Sequence, residues 1–378
     1  MEPKKNDFKV AIIGAGHGGQ AFAAHMALNG NKVNLFSLSL EELKPIQEKG
    51  GIELKGGVEG FAKLNKVTTA IDEAIEGVQL IMVVTPSVIL HTVATLLTRF
   101  LKDGQIVVLN PGRTFGALEF AQVAKCLGCK AKFLLAETHT LLYACRIEGP
   151  ALVNIFGVKT KVQLAAFPAL YTKKIINVLH SAGFPQFVPA QNVLETSINN
   201  IGPIVHPAPM LLSFSRILSS DELYYYQDVI TPHVAHYIEK LDKERVALGK
   251  ALGLNVLSIK EVYKLQYNVI GKTLYEVLQN VPAYKATFKP PKDLMTGNLI
   301  IDEIPKSLIP LYSLGKALDV PTPTIKTVID LACQMCDVNF WSIGRTLKEV
   351  GLEGLTAKEM LEFANKADLF NLKDLEAI

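Results

Sequence analysis

The sequence predicts an α/β protein in two parts: a doubly wound parallel sheet in the amino-terminal half and an all-helical domain in the carboxyl-terminal half. Three observations support this. The chain has 378 residues, more than one ordinary hydrophobic core accommodates. Its first half alternates unbroken runs of β-branched and aliphatic residues with segments of helical spacing. Its second half, from about Gln191, keeps helical spacing and has few strand-like runs.

The strand-like runs of the first half lack the alternation that is typical of a half-exposed strand. Such runs, separated by amphipathic helices, indicate parallel strands covered on both faces. Two glycine pairs, Gly50–Gly51 and Gly56–Gly57, indicate the turns of a small hairpin. The predicted strands are Lys9–Ile13, Lys32–Phe36, Gln79–Val84, Gln105–Leu109, Lys132–Ala136 and Leu152–Val158, and the predicted helices are Gly19–Asn29, Glu41–Lys49, Ile89–Leu101 and Ala117–Leu127.

The second half is punctuated by prolines rather than by strands. Pro185 and Pro189 bracket a short segment, and we place the domain boundary there. Residues 1–190 then form the first domain and residues 191–378 the second. The predicted helical segments of the second domain are Asp221–Leu252, Ile259–Gln279, two helices around Val320–Pro323, and Leu355–Asn365.

A glycine-rich turn follows the first predicted strand and opens the first helix. The pattern G-x-G-x-x-G in this context is typical of a dinucleotide-binding, Rossmann-type unit. Gly14 permits the tight turn, Gly16 leaves room for a pyrophosphate, and Gly19 lets the helix pack closely on the strand. The free N–H groups at the helix start would bind the phosphates. The cofactor-binding candidates in this loop are Gly14, Ala15, Gly16, His17, Gly18 and Gly19.

The end of the second strand bears on the type of dinucleotide. An acidic residue there would accept a hydrogen bond from the ribose 2′-hydroxyl of NAD. This chain instead has Ser37 and Ser39, with Lys44 as the nearest cation. A neutral hydroxyl can donate to a 2′-phosphate without repelling it. We therefore expect NADP, with NAD as the alternative.

Further candidates follow the other strands at the carboxyl edge of the sheet, where ligands bind in such folds. Thr85 and Pro86 end one strand, and Asn110 and Gly112 end the next, so all four are candidate contacts to the cofactor. Each pair is equally compatible with an ordinary turn. Arg146 follows a later strand and is either an anchor for a substrate carboxylate or half of a structural ion pair; the ion pair is the preferred interpretation.

The densest polar cluster of the second half surrounds His206. Pro207 fixes its own φ and favours a helix start, which places His206 at the amino end of that helix. A histidine can transfer protons near neutral pH, although the sequence pattern alone favours a capping or core role at such a position. Asp302 and Glu303 are adjacent carboxylates, and one of them could reach His206. Asn200 is a candidate substrate contact in the same cluster.

Composition excludes several classes of function. The formal net charge is only +3, so we expect no nucleic-acid partner. No apolar stretch has the length of a membrane helix and no signal peptide precedes the first strand, so we expect no membrane association. Five cysteines suit a reducing cytoplasm. The pairs Cys126–Cys129 and Cys333–Cys336 fit helix faces, and we expect no metal.

Taken together, these motifs resemble those of the opine dehydrogenases, the octopine/nopaline dehydrogenase-like family. The resemblance covers nearly the whole chain. The matching segments are Gly14–Gly19, Leu109–Gly112 with Gly116–Phe120, Glu137–Thr138 with Cys145–Arg146, Asn192–Ser197, His206–Pro207, Ile230–Pro232, Val320–Pro323 and Gly344–Leu347.

The resemblance implies an active site in the cleft between a dinucleotide domain and a helical domain. Such enzymes join an amino acid to a 2-oxo acid and reduce the resulting imine with NAD(P)H. The family's catalytic histidine falls on His206 and its acidic partner on Glu303, with Asp302 as the fallback. Both substrates would be small molecules, and we expect a homodimer.

The chain departs from the family pattern at three points. The family has Arg where this chain has Asn298, Asn where it has Gly202, and Glu-Asp where it has Asp-Glu. Asn298 thus becomes a substrate candidate without the bidentate capacity of arginine. Substitutes for the missing charge would be Lys289, Lys292 and Arg146. Two alternatives stay open: a reductase of 2-oxo acids or related carbonyls on the same two-domain plan, and a non-catalytic NADP-binding sensor.

Overall fold

A computed structural model describes residues 8–285 and 288–366. In this part of the chain the strands lie in the first half and the helical layer is built mainly by the second. The strands are β1 (Lys9–Ile13), β2 (Lys32–Phe36), β3 (Ile52–Gly56), β4 (Gly60–Ala62), β5 (Lys66–Thr68), β6 (Leu80–Val83), β7 (Ile106–Leu109), β8 (Leu134–Thr138), β9 (Tyr143–Gly149), β10 (Leu152–Val158), β11 (Val162–Phe167) and β12 (Phe187–Pro189).

Eight strands form the main sheet, in the order β12-β11-β8-β7-β6-β1-β2-β5. All neighbours are parallel except β8 and β11. The register aligns Ile13, Val83, Leu109 and Glu137 across four adjacent strands. The turns that follow these residues therefore meet at one edge of the sheet, which confirms the predicted Rossmann-type architecture.

One predicted strand belongs to a different sheet. Leu152–Val158 forms β10, which pairs with β9 and β3 in a second sheet of order β4-β3-β10-β9. We expected it in the parallel sheet, and that expectation is wrong. The burial of β10 alternates along the strand, which is the pattern of a strand covered on one face only. The hairpin indicated by the paired glycines is confirmed as β3 and β4.

Helices of the first half cover the main sheet. Both faces of the sheet are buried: Val10 and Ile12 belong to one core, and Ala11 and Ile13 to the other. This alternation along β1 is what a doubly covered sheet produces. The helices are α1 (His17–Leu28), α2 (Leu40–Lys49), α3 (Ile71–Ile75), α4 (Leu90–Thr98), α5 (Gly116–Cys126) and α6 (Thr172–Ser181).

After β12 the described residues contain helices and no strand. The helices are α7 (Val193–Ile198), α8 (Gly202–Val205), α9 (Pro207–Leu212), α10 (Phe214–Ser219), α11 (Pro232–Ala251), α12 (Ile259–Tyr267), α13 (Leu274–Asn280), α14 (Asn298–Ile301), α15 (Ile309–Ala317), α16 (Pro323–Cys336), α17 (Phe340–Ile343) and α18 (Ala357–Lys366). Two π-helical turns, Tyr225–Val229 and Ile304–Leu308, adjoin the site described below.

Two predicted helices are shorter than expected for local reasons. Asp221–Leu252, predicted as one or two helices, contains the π-helical turn Tyr225–Val229 and then α11 from Pro232, where Thr231 caps the first turn by accepting from the Val234 N–H. Ile259–Gln279 divides into α12 and α13 at Asn268, whose φ of 56° ends a helix. None of the helices in the described part of the chain combines the length and apolar character that a membrane crossing requires.

Buried polar contacts join the two halves. Glu137, at the end of β8, accepts hydrogen bonds from the hydroxyls of Thr196 (2.7 Å) and Ser197 (2.8 Å) and from the Ala117 N–H (2.8 Å). Burial raises the pKa of Glu137 to about 7 despite these donors. The helical half is thus fastened to the carboxyl edge of the sheet.

A second junction involves Arg345, whose side chain is fully buried. Its Nε donates to Oε2 of Glu119 on α5 (2.6 Å), and its Nη2 donates to the Ser87 hydroxyl (3.0 Å). A third bond goes to the carbonyl oxygen of Thr114. Arg345, which lies late in the sequence, therefore packs against three residues of the first domain.

Candidate active site

A cavity of about 1020 Å³ lies between the sheet edge and the helical half. Gly16 and His17 line it on the sheet side, and His206 and Tyr226 line it on the helical side. The cavity thus brings together the glycine loop and the histidine cluster, which are separated by almost 200 residues in the sequence.

The glycine loop leaves open space where a pyrophosphate would lie. A Cβ atom added to Gly16 would meet nothing within 4 Å, and no described side chain caps the N–H groups at the start of α1. In contrast, a Cβ on Gly19 would lie 1.8 Å from the Gly14 carbonyl oxygen, and Gly14 itself has a φ of 112°. The three glycines therefore have the roles that a bound dinucleotide requires.

The other cofactor candidates divide into two groups. Ala15, Gly18, Thr85, Pro86 and Asn110 line the cavity together with Gly16 and His17. Gly112 does not contribute to the lining: a Cβ there would lie 2.2 Å from Oε2 of Glu137, so the missing side chain serves packing. Ser37 is buried and donates its hydroxyl to Oε2 of Glu42 (2.6 Å), while the Ser39 N–H donates to the Ser37 hydroxyl (3.1 Å).

His17 is held in place by β9. Its Nδ1 accepts a hydrogen bond from the Ile147 N–H at 3.0 Å. Desolvation and the nearby charge of Arg146 lower the pKa of His17 to about 4. The ring is therefore neutral at pH 7 and positions the loop against β9 without adding charge.

His206 makes a hydrogen bond from each ring nitrogen. Nδ1 lies 2.9 Å from Oε1 of Glu303 and donates to it, and Nε2 lies 3.3 Å from the Tyr226 hydroxyl. His206 directly precedes α9, as its following proline predicts. Burial raises the pKa of Tyr226 to about 12, so its hydroxyl stays protonated and can donate to Nε2. Tyr226 stacks on Tyr284 with ring centroids 3.7 Å apart.

The two adjacent acids have different partners. Glu303 contacts His206, whereas Asp302 accepts from the Val88 N–H at 2.9 Å and does not contact His206. The fallback assignment to Asp302 is therefore wrong in this structure. Arg113 binds both acids, with Nη1 2.5 Å from Oε1 of Glu303 and Nε 3.2 Å from Oδ2 of Asp302. Burial opposes ionisation of Glu303, but Arg113 and His206 hold the pKa of Glu303 below its usual value.

Arg113 also explains the departure at Gly202. A Cβ at Gly202 would lie 2.4 Å from Oε1 of Glu303 and 2.8 Å from Nη1 of Arg113. The absence of a side chain therefore makes room for the ion pair. Arg113 directly follows Asn110–Gly112 at the edge of the sheet, and this position is the sequence signal for its place in the site; its contact with the two acids was not predicted.

The three substrate candidates lie in or beside the cavity. Arg146 has its guanidinium carbon 4.5 Å from the ring centre of Phe288, and no carboxylate lies within 4 Å of it in residues 8–285 and 288–366. The preferred interpretation as an ion pair is therefore wrong. Asn200 is buried, accepts from the Gly202 N–H at 3.1 Å and donates to the Ser307 hydroxyl at 3.4 Å. Asn298 begins α14 and lines the cavity.

The two lysines considered as substitutes for the missing arginine differ in whether their charge is already paired. Lys292 pairs with Asp221 at 3.2 Å and donates to two backbone carbonyl oxygens, so its charge is already used. Lys289 lines the cavity and lies 3.9 Å from an exposed Glu222. Arg146 is therefore the better placed of the three candidates.

A dinucleotide-binding edge that faces a histidine–carboxylate pair across one cavity defines an NAD(P)-dependent dehydrogenase. Two family models match the chain. Residues 9–112 match the model described as NAD-dependent glycerol-3-phosphate dehydrogenase N-terminus, and residues 189–336 match NAD/NADP octopine/nopaline dehydrogenase, alpha-helical domain.

Comparison with curated proteins identifies the family. Opine dehydrogenase of Arthrobacter sp. (strain 1C) is 36% identical over 348 residues, which cover 92% of this chain and 96% of that protein. Protein ocs of Agrobacterium tumefaciens (strain Ach5) is 23% identical over 375 residues, which cover 94% of this chain and 99% of that protein. The chain belongs to the opine dehydrogenase family. It is an NAD(P)-dependent oxidoreductase acting on the CH–NH group, which reductively condenses an amino acid with a 2-oxo acid.

Solved structures agree on the fold. Octopine dehydrogenase in complex with NADH and agmatine matches with a TM-score of 0.75 at 19% identity, covering 94% of this chain and 98% of that one. Yersinopine dehydrogenase with bound NADP+ matches with a TM-score of 0.69 at 15% identity, and the match covers 95% of this chain and 98% of that one. Both show the same pairing of a dinucleotide sheet with a helical half.

Proposed function

We propose that His206 is the proton-transfer residue of the reductive condensation and that Glu303 orients its ring. The observation that carries this proposal is the 2.9 Å contact between His206 Nδ1 and Glu303 Oε1 in the cavity that also contains the glycine loop. A carboxylate on Nδ1 fixes the tautomer, so Nε2, which lies 3.3 Å from the Tyr226 hydroxyl, is the nitrogen that would exchange protons.

The chemistry requires several proton transfers. The amino group adds to the 2-oxo carbon, and the resulting carbinolamine must lose water to form an imine. His206 would take a proton from the attacking amine and return one to the departing hydroxyl. Glu303 would stabilise the imidazolium formed between these steps, and Tyr226 would support Nε2 when the ring is neutral. When bound, NAD(P)H supplies the hydride that reduces the imine.

The geometry supports a set of residues that would hold the cofactor. The N–H groups at the start of α1 and the open space at Gly16 suit a pyrophosphate. Ala15, His17, Gly18, Thr85, Pro86 and Asn110 are the remaining proposed contacts that line the cavity, and Gly14 and Gly19 shape the loop. Ser37 and Ser39, which follow β2, are the proposed residues near the ribose of the adenosine. For the substrates, the proposed contacts are Arg146, Asn200 and Asn298.

The test uses purified full-length protein with NADH or NADPH, pyruvate, and a panel of amino acids. Oxidation of the cofactor that requires an amino acid supports the proposal. Oxidation with pyruvate alone would favour a carbonyl reductase, and cofactor binding without turnover across the panel would favour a sensor. His206→Ala should abolish turnover and leave the Kd of the cofactor unchanged, whereas full activity of this variant would overturn the assignment.

Three further proposals concern organisation. We propose that the domains are residues 1–190 and 191–378, that the protein works in the cytoplasm, and that it forms a homodimer through the helical half. Exposed apolar side chains there support the dimer: Leu218 is 53% exposed, Ile270 71% and Ile343 56%. Size-exclusion chromatography with light scattering would measure the mass of the protein in solution. A monomeric mass at all concentrations would contradict the dimer.

A further inference from the structure

Part of the helical wall of the cavity is built from aromatic side chains. Tyr226 stacks on Tyr284, and Tyr284 meets the edge of Tyr267 with centroids 5.6 Å apart. Phe288 continues this wall below Arg146. Burial raises the pKa of each of these tyrosines, so none is ionised at neutral pH. A side chain that enters this part of the cavity meets flat apolar faces.

Lys159 contributes a buried positive charge to the same cavity. It is 7% exposed, and its Nζ donates to the Leu141 carbonyl oxygen at 2.6 Å and lies 5.8 Å from the ring centre of Tyr267. In the described ranges no carboxylate lies within 4 Å of it. Burial lowers the pKa of Lys159 to about 8, so it is still mostly charged at pH 7. An ammonium group in such surroundings is costly without an anionic partner.

Acidic side chains are absent from this end of the cavity. Within the described part of the chain, the acids that line it are Glu41 and Glu42, both in the first turn of α2 near the glycine loop. Asp302 and Glu303 are both engaged by Arg113. A cationic substrate side chain would therefore face Arg146 and Lys159 without a counter-ion.

We propose that Lys159, together with Arg146, binds the carboxylates of the two substrates, and that the amino acid has an uncharged, apolar or aromatic side chain. This inference rests on the proposed function. The condensation product carries two carboxylates, and the cavity supplies two cations that have no acidic partner among residues 8–285 and 288–366. Lysine, arginine and their decarboxylated amines would be poor substrates because their cations would be repelled and desolvated.

Matched pairs of amino acids test this without changing substrate shape. Norleucine and lysine differ in the terminal charged group, as do citrulline and arginine. With pyruvate and the reduced cofactor, we expect kcat/KM to be at least 100-fold higher for norleucine than for lysine, and higher for citrulline than for arginine. Equal or better turnover of the cationic members would overturn this inference and leave the proposed function intact. No turnover with any amino acid would overturn the proposed function itself.

Variants at Lys159 separate carboxylate binding from a structural role. Lys159→Met keeps the length of the side chain and removes its charge, so KM for norleucine and pyruvate should rise at least tenfold, with a smaller change in kcat. The ratio of norleucine to lysine turnover should fall, because a repelling charge is gone. Lys159→Arg should keep the ratio. If Lys159→Met stays folded with unchanged KM values and an unchanged ratio, Lys159 binds neither carboxylate.

A second inference, independent of the substrates, concerns Glu42. In a dinucleotide site, an acidic residue after β2 would accept a hydrogen bond from a ribose hydroxyl. Here the carboxylate near that position comes from Glu42 on α2. Glu42 accepts from the buried Ser37 hydroxyl at 2.6 Å and lines the cavity with Gly16. Lys44 points elsewhere: it is 70% exposed and lies 3.9 Å from Glu48.

The geometry points to Glu42 as the residue that selects NADH over NADPH, the opposite of the preference expected from Ser37. Its carboxylate would accept from a ribose 2′-hydroxyl and repel a 2′-phosphate, while the Ser37 hydroxyl is already used as a donor to Glu42. Selection by charge at this position requires no contact with the substrates.

Equilibrium binding tests this without turnover. Quenching of intrinsic fluorescence should give a Kd for NADPH at least tenfold above that for NADH. Glu42→Gln should bring the two Kd values within about threefold, and Glu41→Gln, which removes the neighbouring charge, should retain most of the difference. Tighter binding of NADPH by the unmodified protein, or an unchanged ratio in Glu42→Gln, would overturn the assignment.

Discussion

Replacing Gly202 with alanine should impair turnover without weakening cofactor binding. The added Cβ would lie 2.4 Å from Oε1 of Glu303, whereas an ordinary contact begins near 3.4 Å. The carboxylate of Glu303 is fully buried and is held by Arg113, whose side chain is only 18% exposed, so the carboxylate has little room to move. Gly202→Ala therefore displaces the group that orients His206.

The size of the effect follows from the distances. A displacement of about 1 Å is enough to lengthen the 2.9 Å contact between His206 and Glu303 beyond hydrogen-bonding range. A hydrogen bond to a charged group contributes about 1.5–3 kcal/mol net. Loss of that amount from the transition state lowers kcat by about 10- to 150-fold.

Steady-state kinetics with saturating cofactor, together with the Kd of the cofactor and a thermal melt, would measure this effect. Gly149→Ala is a matched control, because its added Cβ would meet nothing closer than 3.9 Å and its backbone requires no positive φ. A Gly202→Ala enzyme with kcat within twofold of the unmodified protein would refute the reasoning. So would an equal loss in both variants.

The remaining predictions concern the cofactor loop and buried charges. Gly16→Ala should raise the cofactor Kd at least tenfold with an unchanged melting temperature, because its Cβ fills open space rather than protein; equal Kd values would contradict this. Burial raises the pKa of Glu137 from 4.5 to about 7 on folding, so the folded protein binds this proton more tightly than the unfolded chain. The free energy of unfolding should therefore fall by about 1–3 kcal/mol as the pH rises from 4.5 to 7. Urea titrations at several pH values would measure this, and Glu137→Gln should flatten the dependence of the unfolding free energy on pH. Asp242→Ala leaves the fully buried Arg245 without its partner and should lower the free energy of unfolding by about 3–5 kcal/mol in the same titrations; a loss below 1 kcal/mol would contradict this.

The parts of the site that the sequence could predict are those that depend on local geometry. Gly14, Gly16 and Gly19 serve one turn between one strand and one helix, so their roles follow from spacing alone. Pro207 fixes the backbone after His206 in the same way. The family resemblance then supplied Glu303, which the structure places in contact with the histidine.

The parts that the sequence could not predict depend on packing between distant segments. Arg113 reaches residues almost 190 positions later, and Tyr226 reaches His206 only because a π-helical turn presents it. The proposed role of Lys159 depends on the absence of acids near it in the described part of the chain, which is a property of its surroundings and not of any motif. β10 was assigned to the wrong sheet because hydrophobic runs do not specify which strand lies beside them.

The anchoring of Arg345 has a consequence for biosynthesis. Glu119 is 5% exposed, and Arg345, the fully buried cation that pairs with it, is translated more than 220 residues later. A nascent chain that has emerged only through the nucleotide domain must keep this acid hydrated or protonated. The first domain should therefore reach its final stability only when the ribosome has nearly finished, and residues 1–190 produced alone should be less stable than the same segment within the whole protein.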